Sequence, residues 1–288
     1  MNDALRTALE AALGASIRSA ASVSGGDIND AYAVTLADGR NVFVKANDRA
    51  DARLFPAEAR GLAWLAEARA LRTPEVVAVS PARAKTAFLV LEHLESRPRT
   101  RDFDERAGRG LAALHRFGAP RFGLDFDNFI GRLPQSNRGH ATWATFYRDE
   151  RLLPQLELAR ASRRATSRME RGFETLFARL AELVGPEETP SRVHGDLWGG
   201  NLHVDDRGEP CLIDPAPYGG HRELDLAMMR LFGGFSPRVF AAYDEAFSLA
   251  EEHAGRVALY QLYFLMVHVN LFGGSYGASV ESALATYE

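Results

Sequence analysis

The chain of 288 residues is long enough for about two domains or lobes with a sizeable core. With 46% hydrophobic and 25% charged residues it has ordinary globular usage, which excludes a mainly disordered chain. The 34 basic and 38 acidic residues leave a net charge of −4, which argues against binding nucleic acid by bulk charge, and the single cysteine, Cys211, excludes an intramolecular disulfide and fits a reducing compartment. In chain order, Leu5, Leu9 and Leu13 fall four apart, as on one helix face. Asp3 and Glu10 stand where a secretory signal would be basic and then apolar, so a cytoplasmic location is expected. Residues 31–36 and 41–46 flank Asp38-Gly39, a hairpin turn signal. Phe55, Ala59, Leu62 and Leu65-Ala66 mark one face of a helix, and Thr73-Pro74 closes that region. Residues 87–91 read as a short buried strand. The polar stretch 95–100 contains Pro98 and is the expected lobe boundary, with one lobe over residues 1–94 and the other over 95–288. From Asp102 onward the pattern is mostly helical, broken by turn-rich loops around 118–140 and 185–222. Residues 257–280 hold no Asp, Glu, Lys or Arg, but Gln261, His268, Asn270, Gly273, Gly274 and Ser275 interrupt them. The apolar part is shorter than the ~20 residues of a spanning helix, so a buried helix is predicted and no membrane partner. The expected fold is α+β and bilobal, a small β-rich N-lobe before a larger, mostly helical C-lobe, with the ligand in the cleft between them.

The chemistry concentrates between residues 193 and 214. Asp196 and Asn201 are five apart in His194-Gly195-Asp196-Leu197-Trp198-Gly199-Gly200-Asn201, and Asp214 follows Asp196 by eighteen and is expected to end an apolar strand. Both spacings are those of kinase machinery, in which one Asp receives or orients the acceptor hydroxyl proton while an Asn and a second Asp hold Mg²⁺. Phosphoryl transfer needs this set because charge spreads over phosphate oxygens and a hard cation with oxygen ligands neutralises it. The N-terminal parts fit independently. Gly25-Gly26 and Asn29 lie in a turn between strands, where backbone N–H groups would cover phosphates. Lys45 occupies the place of the strand lysine that contacts the α/β-phosphates. Glu58 falls on the apolar face of the next helix and is its expected partner, with Glu67 a surface alternative. Glu92-His93-Leu94 follows the last N-lobe strand, where the adenine of ATP would meet main-chain groups.

Gly195 stands where protein kinases keep an Arg, and Pro215-Ala216 follow Asp214 in place of Phe-Gly. Ten residues separate Asp214 from Leu224, too few for a long activation loop. A small-molecule phosphotransferase is therefore favoured over a protein kinase.

From about residue 24 to 276 the sequence resembles the fructosamine kinase, or ketosamine-3-kinase, family, related to aminoglycoside and choline phosphotransferases. The residues that carry the resemblance are FGLDFDNFIGRLPQSN at 122–137, the 194–201 segment with its Trp198, IDPAPYGGHRELDLAM at 213–228 and YQLYFLMVHVNLFGG at 260–274. The resemblance implies the two-lobed kinase-like fold, with a nucleotide-binding N-lobe. It also implies ATP- and Mg²⁺-dependent phosphorylation of the 3-hydroxyl of ketosamines, sugar adducts on small amines or on protein lysines, which restores the amine. It makes Asp196 the catalytic base, Asn201 and Asp214 the metal ligands, Lys45 and Glu58 the phosphate-positioning pair, and Gly25-Gly26 the covering loop. Asp27 departs from the pattern by placing a carboxylate beside the phosphates.

For the substrate, Trp198 is expected to stack on a sugar face and His268 to hydrogen-bond the sugar. Asp125, Asp127 and Asn128 are expected to cap a loop, Glu223 and Asp225 to brace the loop after Asp214, and His194 and His203 to brace the catalytic turn. The alternatives are another aminoglycoside- or choline-type phosphotransferase, a metallophosphoesterase using His194, Asp196, Asn201 and His203 as ligands, and a non-catalytic nucleotide-binding scaffold. Cys211 is expected to be buried, so no disulfide dimer is expected through it.

Overall fold

The computed structural model describes residues 1–23 and 29–287. The N-terminal lobe is a five-stranded antiparallel sheet between two helices. Helix α1 (Asp3–Leu13) is capped by the Asn2 side chain, and strands β1 (Ile17–Ser22), β2 (Asp30–Leu36) and β3 (Asn41–Ala46) follow it. After them come α2 (Leu54–Ala66), β4 (Val76–Val79) and β5 (Phe88–Glu92). The spatial strand order is β1-β2-β3-β5-β4. Asp38-Gly39 turns the β2–β3 hairpin as predicted, with Gly39 in the left-handed region at φ 90°. Helix α2 stops at Ala66, well before Thr73-Pro74; Arg69, at φ 49°, lies in the turn that follows.

Strand alternation sorts the two sheet faces. Val42, Val44 and Ala46 of β3 and Phe88 and Val90 of β5 bury against Leu5, Leu9 and Leu13 of α1. Leu89 and Leu91 point the other way and bury with Leu54, Phe55 and Leu62 of α2, with Phe43 packed beside them. Lys45 shares the Phe43 side by parity, so the same alternation that builds the core turns its ammonium toward α2.

Residues 93–100 form no regular element and lead to α3 (Phe103–Phe117). The C-terminal lobe continues with hairpin β6 (Asn128–Ile130) and β7 (Leu133–Gln135), then α4 (Trp143–Phe146), a π-helical turn over Tyr147–Leu152, α5 (Leu153–Ala161) and α6 (Ser167–Leu183). Four three-residue strands follow: β8 (Ser191–Val193), β9 (Leu202–Val204), β10 (Pro210–Leu212) and β11 (Tyr218–Gly220). Helices α7 (Glu223–Phe232), α8 (Pro237–Ala246), α9 (Val257–Phe272) and α10 (Tyr276–Leu284) complete it. Helix α9 buries residues all round its circumference, between α5, α7 and α10. The uncharged segment is thus two helices separated at Gly273-Gly274, and among the described residues no helix is long and apolar enough to cross a membrane.

Candidate active site

Two short ladders place the site. β8 pairs with β11, and β9 pairs with β10, both antiparallel. The loops 194–201 and 213–217 therefore leave the ladders side by side. Three bonds fasten them together: Ile213 N–H to the Asn201 carbonyl at 3.1 Å, Ala216 N–H to the His194 carbonyl at 3.0 Å, and the His194 ring to the Ile213 carbonyl at 2.9 Å. Gly195 has φ 81°, and a Cβ there would stand 2.1 Å from the Ala216 carbonyl oxygen. Only glycine accepts both that conformation and that approach.

The Asn201 amide nitrogen donates to the Asp196 carbonyl at 2.8 Å and reaches the Asp214 carbonyl at 3.5 Å, so its Oδ1 is the atom that could accept a metal. Asp214 does not end a strand as expected. It lies beyond β10 at φ 55°, a strained left-handed position for a non-glycine residue, and its half-exposed carboxylate lines the cleft. Lys45 reaches Glu58 at 2.6 Å and Asp214 at 2.5 Å, so one ammonium joins the two lobes. Burial pulls its pKa down, but the Asp214 and Glu58 carboxylates outweigh burial and hold it above the ordinary lysine value. Glu67 is occupied elsewhere, on Arg192 at 3.0 Å.

Burial, reinforced by Asp214 and Asp225, pushes the Asp196 carboxyl up to about 7. Asp196 and Asp214 thus bring two carboxylates into one cleft, where among the described residues Lys45 is the cation on Asp214. The cleft's free donors are hard oxygens, from Asn201 and Asp214. That set fits Mg²⁺, which takes one or two protein oxygens and completes its shell with water and phosphate. Among the described residues no group of three or more His, Cys, Asp or Glu forms a closed metal cage. The phosphoesterase alternative fails on this point, since His194 turns to the Ile213 carbonyl and His203 to the Leu94 carbonyl.

The cleft encloses about 880 Å³. At one end Val23, Ala31, Phe43, Leu91, His203 and Ile213 surround the main chain of Glu92, His93 and Leu94. The Glu92 carboxylate itself points to Arg72, at 2.5 Å. Asn29 also lines the cleft, its Oδ1 held by Asn47 at 3.0 Å. Gly25, Gly26 and Asp27 lie outside the described residues. At the other end stand Trp198, Phe232, His268, Phe272 and Tyr276. Trp198 is 41% exposed, and its ring covers Gly200, where a Cβ would meet it at 2.3 Å. The His268 ring lies 4.6 Å from Phe232 and 4.9 Å from Tyr276. Its Nδ1–H donates to the Phe264 carbonyl at 2.8 Å, and burial lowers its pKa, so a neutral ring keeps Nε2 as an acceptor.

Two positioning residues differ from expectation. Asp225 does not brace the loop after Asp214. It accepts the main-chain N–H groups of His194 at 2.7 Å and Gly195 at 2.9 Å, and its other partner is His115 at 3.0 Å. Glu223 pairs with Arg256 at 2.6 Å, away from that loop. The 125–128 group divides. Asp125 pairs with Arg121, and Asp127 accepts the Asn137 N–H at 2.9 Å. Asn128 is buried against the Pro217 carbonyl and also lines the cleft. Cys211 is buried as expected.

The sequence model of the fructosamine kinase family matches residues 1–287. The chain belongs to that family. Among curated relatives, a probable ketoamine kinase of Enterococcus faecium is 36% identical over 266 residues, covering 92% of this chain and 94% of its own. One from Synechocystis is 40% identical over 266 residues, covering 91% and 88%. The crystal structure of a presumed fructosamine-3-kinase from Thermobifida fusca matches at TM-score 0.90 and 37% identity, over 100% of this chain and 99% of its own. The aminoglycoside phosphotransferase APH(4)-Ia, at TM-score 0.64 and 16% identity over 98% of each chain, shares the bilobal kinase-like fold. As a fructosamine kinase family member the protein is a kinase. In it the sequence-predicted Lys45, Glu58, Glu92, His93, Leu94, Asp196, Trp198, Asn201, Asp214 and His268 all line one cleft. The aromatic wall of Phe232, Phe272 and Tyr276 was not foreseen. The one hint was that Phe232 and Phe272 each precede a Gly-Gly pair, where a helix ends and exposes its last ring.

Proposed function

We propose that the protein is an ATP-dependent ketosamine-3-kinase. The observation that carries this reading is the convergence of Lys45, Glu58 and Asp214 within 2.6 Å contacts, in the cleft that also holds Asp196 and Asn201. We place the lobe boundary at residue 95, with residues 1–94 as the nucleotide lobe and 95–288 as the catalytic and substrate lobe. Adenine would lie against the Glu92-His93-Leu94 main chain. Lys45, held by Glu58, would contact the α/β-phosphates beneath Gly25-Gly26 and Asn29. Asn201 and Asp214 would hold Mg²⁺, which when bound supplies charge neutralisation to the phosphate oxygens. Asp196 receives the proton of the sugar 3-hydroxyl as that oxygen attacks the γ-phosphorus. The bond to the bridging oxygen breaks and ADP leaves. Asp225 holds Gly195 and His194 so that Asp196 meets the hydroxyl without rearrangement.

Trp198 would stack on the sugar and the neutral His268 Nε2 would accept from a sugar hydroxyl. His268→Ala is expected to raise the ketosamine KM by about tenfold, the worth of one buried hydrogen bond. The ATP KM should stay fixed. An unchanged ketosamine KM would remove His268 from the substrate site.

The 3-phosphate would destabilise the adduct and release the amine, so the reading implies deglycation of small ketosamines or of glycated lysines on proteins. We place the enzyme in the cytoplasm, where ATP is at hand. The test is ATP consumption with and without Mg²⁺ on ribulose-lysine, fructose-lysine, kanamycin and choline. The expected result is Mg²⁺-dependent turnover on the ketosamines. Turnover confined to kanamycin or choline would keep the mechanism and discard the substrate. ATP binding with no turnover at all would favour a scaffold.

A further inference from the structure

His203 is a polar ring at the base end of the cleft, between apolar neighbours. It lies on β9, in the C-terminal lobe, and both it and Leu94 line the cavity. Its Nε2 stands 3.2 Å from the Leu94 carbonyl oxygen. A carbonyl can only accept, so Nε2 carries the proton and donates. Further along, Ser96 Oγ donates to the Val204 carbonyl at 2.9 Å, and Arg97 and Thr100 N–H groups bond to the carbonyls of Asp205 and Gly208. Those bonds also tie the connecting segment to the β9–β10 hairpin, and their partners do not line the cavity. The His203 bond differs from them in standing on the cavity wall itself.

Strand β5 ends at Glu92, so the cavity-lining main chain of His93 and Leu94 is presented beyond the ladder. A purine reads such groups through its hydrogen-bonding edge. Adenine offers one donor, the N6 amino group, and one acceptor, N1. It needs one carbonyl and one N–H. Guanine offers the O6 acceptor and two adjacent donors, N1–H and the N2 amino group. It needs a carbonyl that receives two donors beside the N–H it uses. Sites that discriminate by leaving a hydrogen-bonding group unmatched do so more sharply than sites that discriminate by size.

We propose that His203 is a base-selecting residue of the nucleotide site: by occupying the Leu94 carbonyl from the cleft floor, it withholds the acceptor that guanine requires and biases the site toward adenine nucleotides. The inference rests on the nucleotide-binding part of the function proposed above and is independent of the sugar acceptor.

The test measures Kd for ATP and GTP by displacement of a fluorescent ATP analogue, with Mg²⁺ and without any ketosamine. It uses the full chain as wild type, His203→Leu and His203→Gln, with His203→Ala taking the place of the Leu variant if that one does not fold. Melting temperatures check folding. Wild type should prefer ATP by at least about tenfold, the scale of one hydrogen bond. His203→Leu keeps the bulk, loses the donor and should bring the two Kd values to within about threefold. His203→Gln retains an N–H that reaches the carbonyl and should keep the bias. An unchanged ATP/GTP ratio in folded His203→Leu, or no ATP preference in wild type, overturns the assignment. No displacement by either nucleotide overturns it together with the kinase reading. The expected ratios without ketosamine turnover would leave it standing and reject only the acceptor.

Discussion

Asp196→Asn is expected to lower kcat by about 10³-fold, within the range a general base supplies, while making the protein more stable at neutral pH. The two effects share one cause. Burial, Asp214 and Asp225 raise the Asp196 carboxyl to about 7 from its ordinary 3.8. The folded chain therefore binds a proton between roughly pH 4 and 7 that the unfolded chain has released, and stability falls as pH rises through that window. Above pH 7 the penalty is complete. Asparagine carries no such charge, so the variant should gain about 1–3 kcal/mol at pH 8 and little at pH 4.5. The same proton should shape wild-type activity. In the free enzyme kcat/KM should drop about tenfold per pH unit below 7, as Asp196 becomes protonated and cannot take the hydroxyl proton. Melting curves of the two proteins at pH 4.5 and pH 8, beside a kcat/KM profile, check both. A stability difference that ignores pH, or an activity limb far from 7, would show that Asp196 is not a base with a raised pKa.

Asp225→Ala is expected to cost about 3–5 kcal/mol, because it leaves three buried hydrogen-bonding groups without their partner at once. Asp225 is fully buried. Its removal orphans the N–H groups of His194 and Gly195 and the His115 ring, whose other nitrogen is held by Tyr243 at 2.8 Å. Burial raises the Asp225 carboxyl, but His115 and the His194 N–H outweigh it and the pKa is lowered. Its stabilisation is thus present above the ordinary carboxylate range and is lost as pH falls below about 4. Losing the anchor also frees the loop bearing Asp196, so kcat should fall about 100-fold with the ATP KM little changed. Asp225→Asn keeps the shape but sets an amide N–H against other donors, and should show a smaller loss of the same kind. Urea denaturation at pH 7 measures it. A cost below about 1 kcal/mol in both variants would contradict the anchoring role.

The parts of this site that were legible in the sequence are those with a local signature. Alternation along β3 put Lys45 opposite the α1-facing valines, and helical phase put Glu58 beside Phe55 and Leu62. The five-residue spacing from Asp196 to Asn201 is a property of one loop. What escaped prediction depends on pairings between distant segments. Strands of three residues, such as β8 and β11, are too short to show a period, so nothing in the sequence revealed that residues 194 and 217 start side by side. Without that ladder the target of Asp225 is ambiguous, and its place in the sequence points to the loop after Asp214 instead of the His194-Gly195 main chain it holds. The Lys45 contact with Asp214 spans 169 positions. An apolar run before an Asp resembles a strand to its end, whereas at Asp214 the chain turns into a left-handed conformation.

Asp196 is proposed to direct phosphoryl transfer to one sugar hydroxyl of a ketosamine. The measurement that tests it most directly is ¹H–³¹P correlation NMR on the product formed from fructose-lysine, Mg²⁺ and ATP by wild type and by Asp196→Asn. A phosphorus signal coupled to the sugar H3 is expected with wild type and is expected to be absent with the variant over the same time. Phosphate on another hydroxyl, or an undiminished H3 signal from Asp196→Asn, would contradict it.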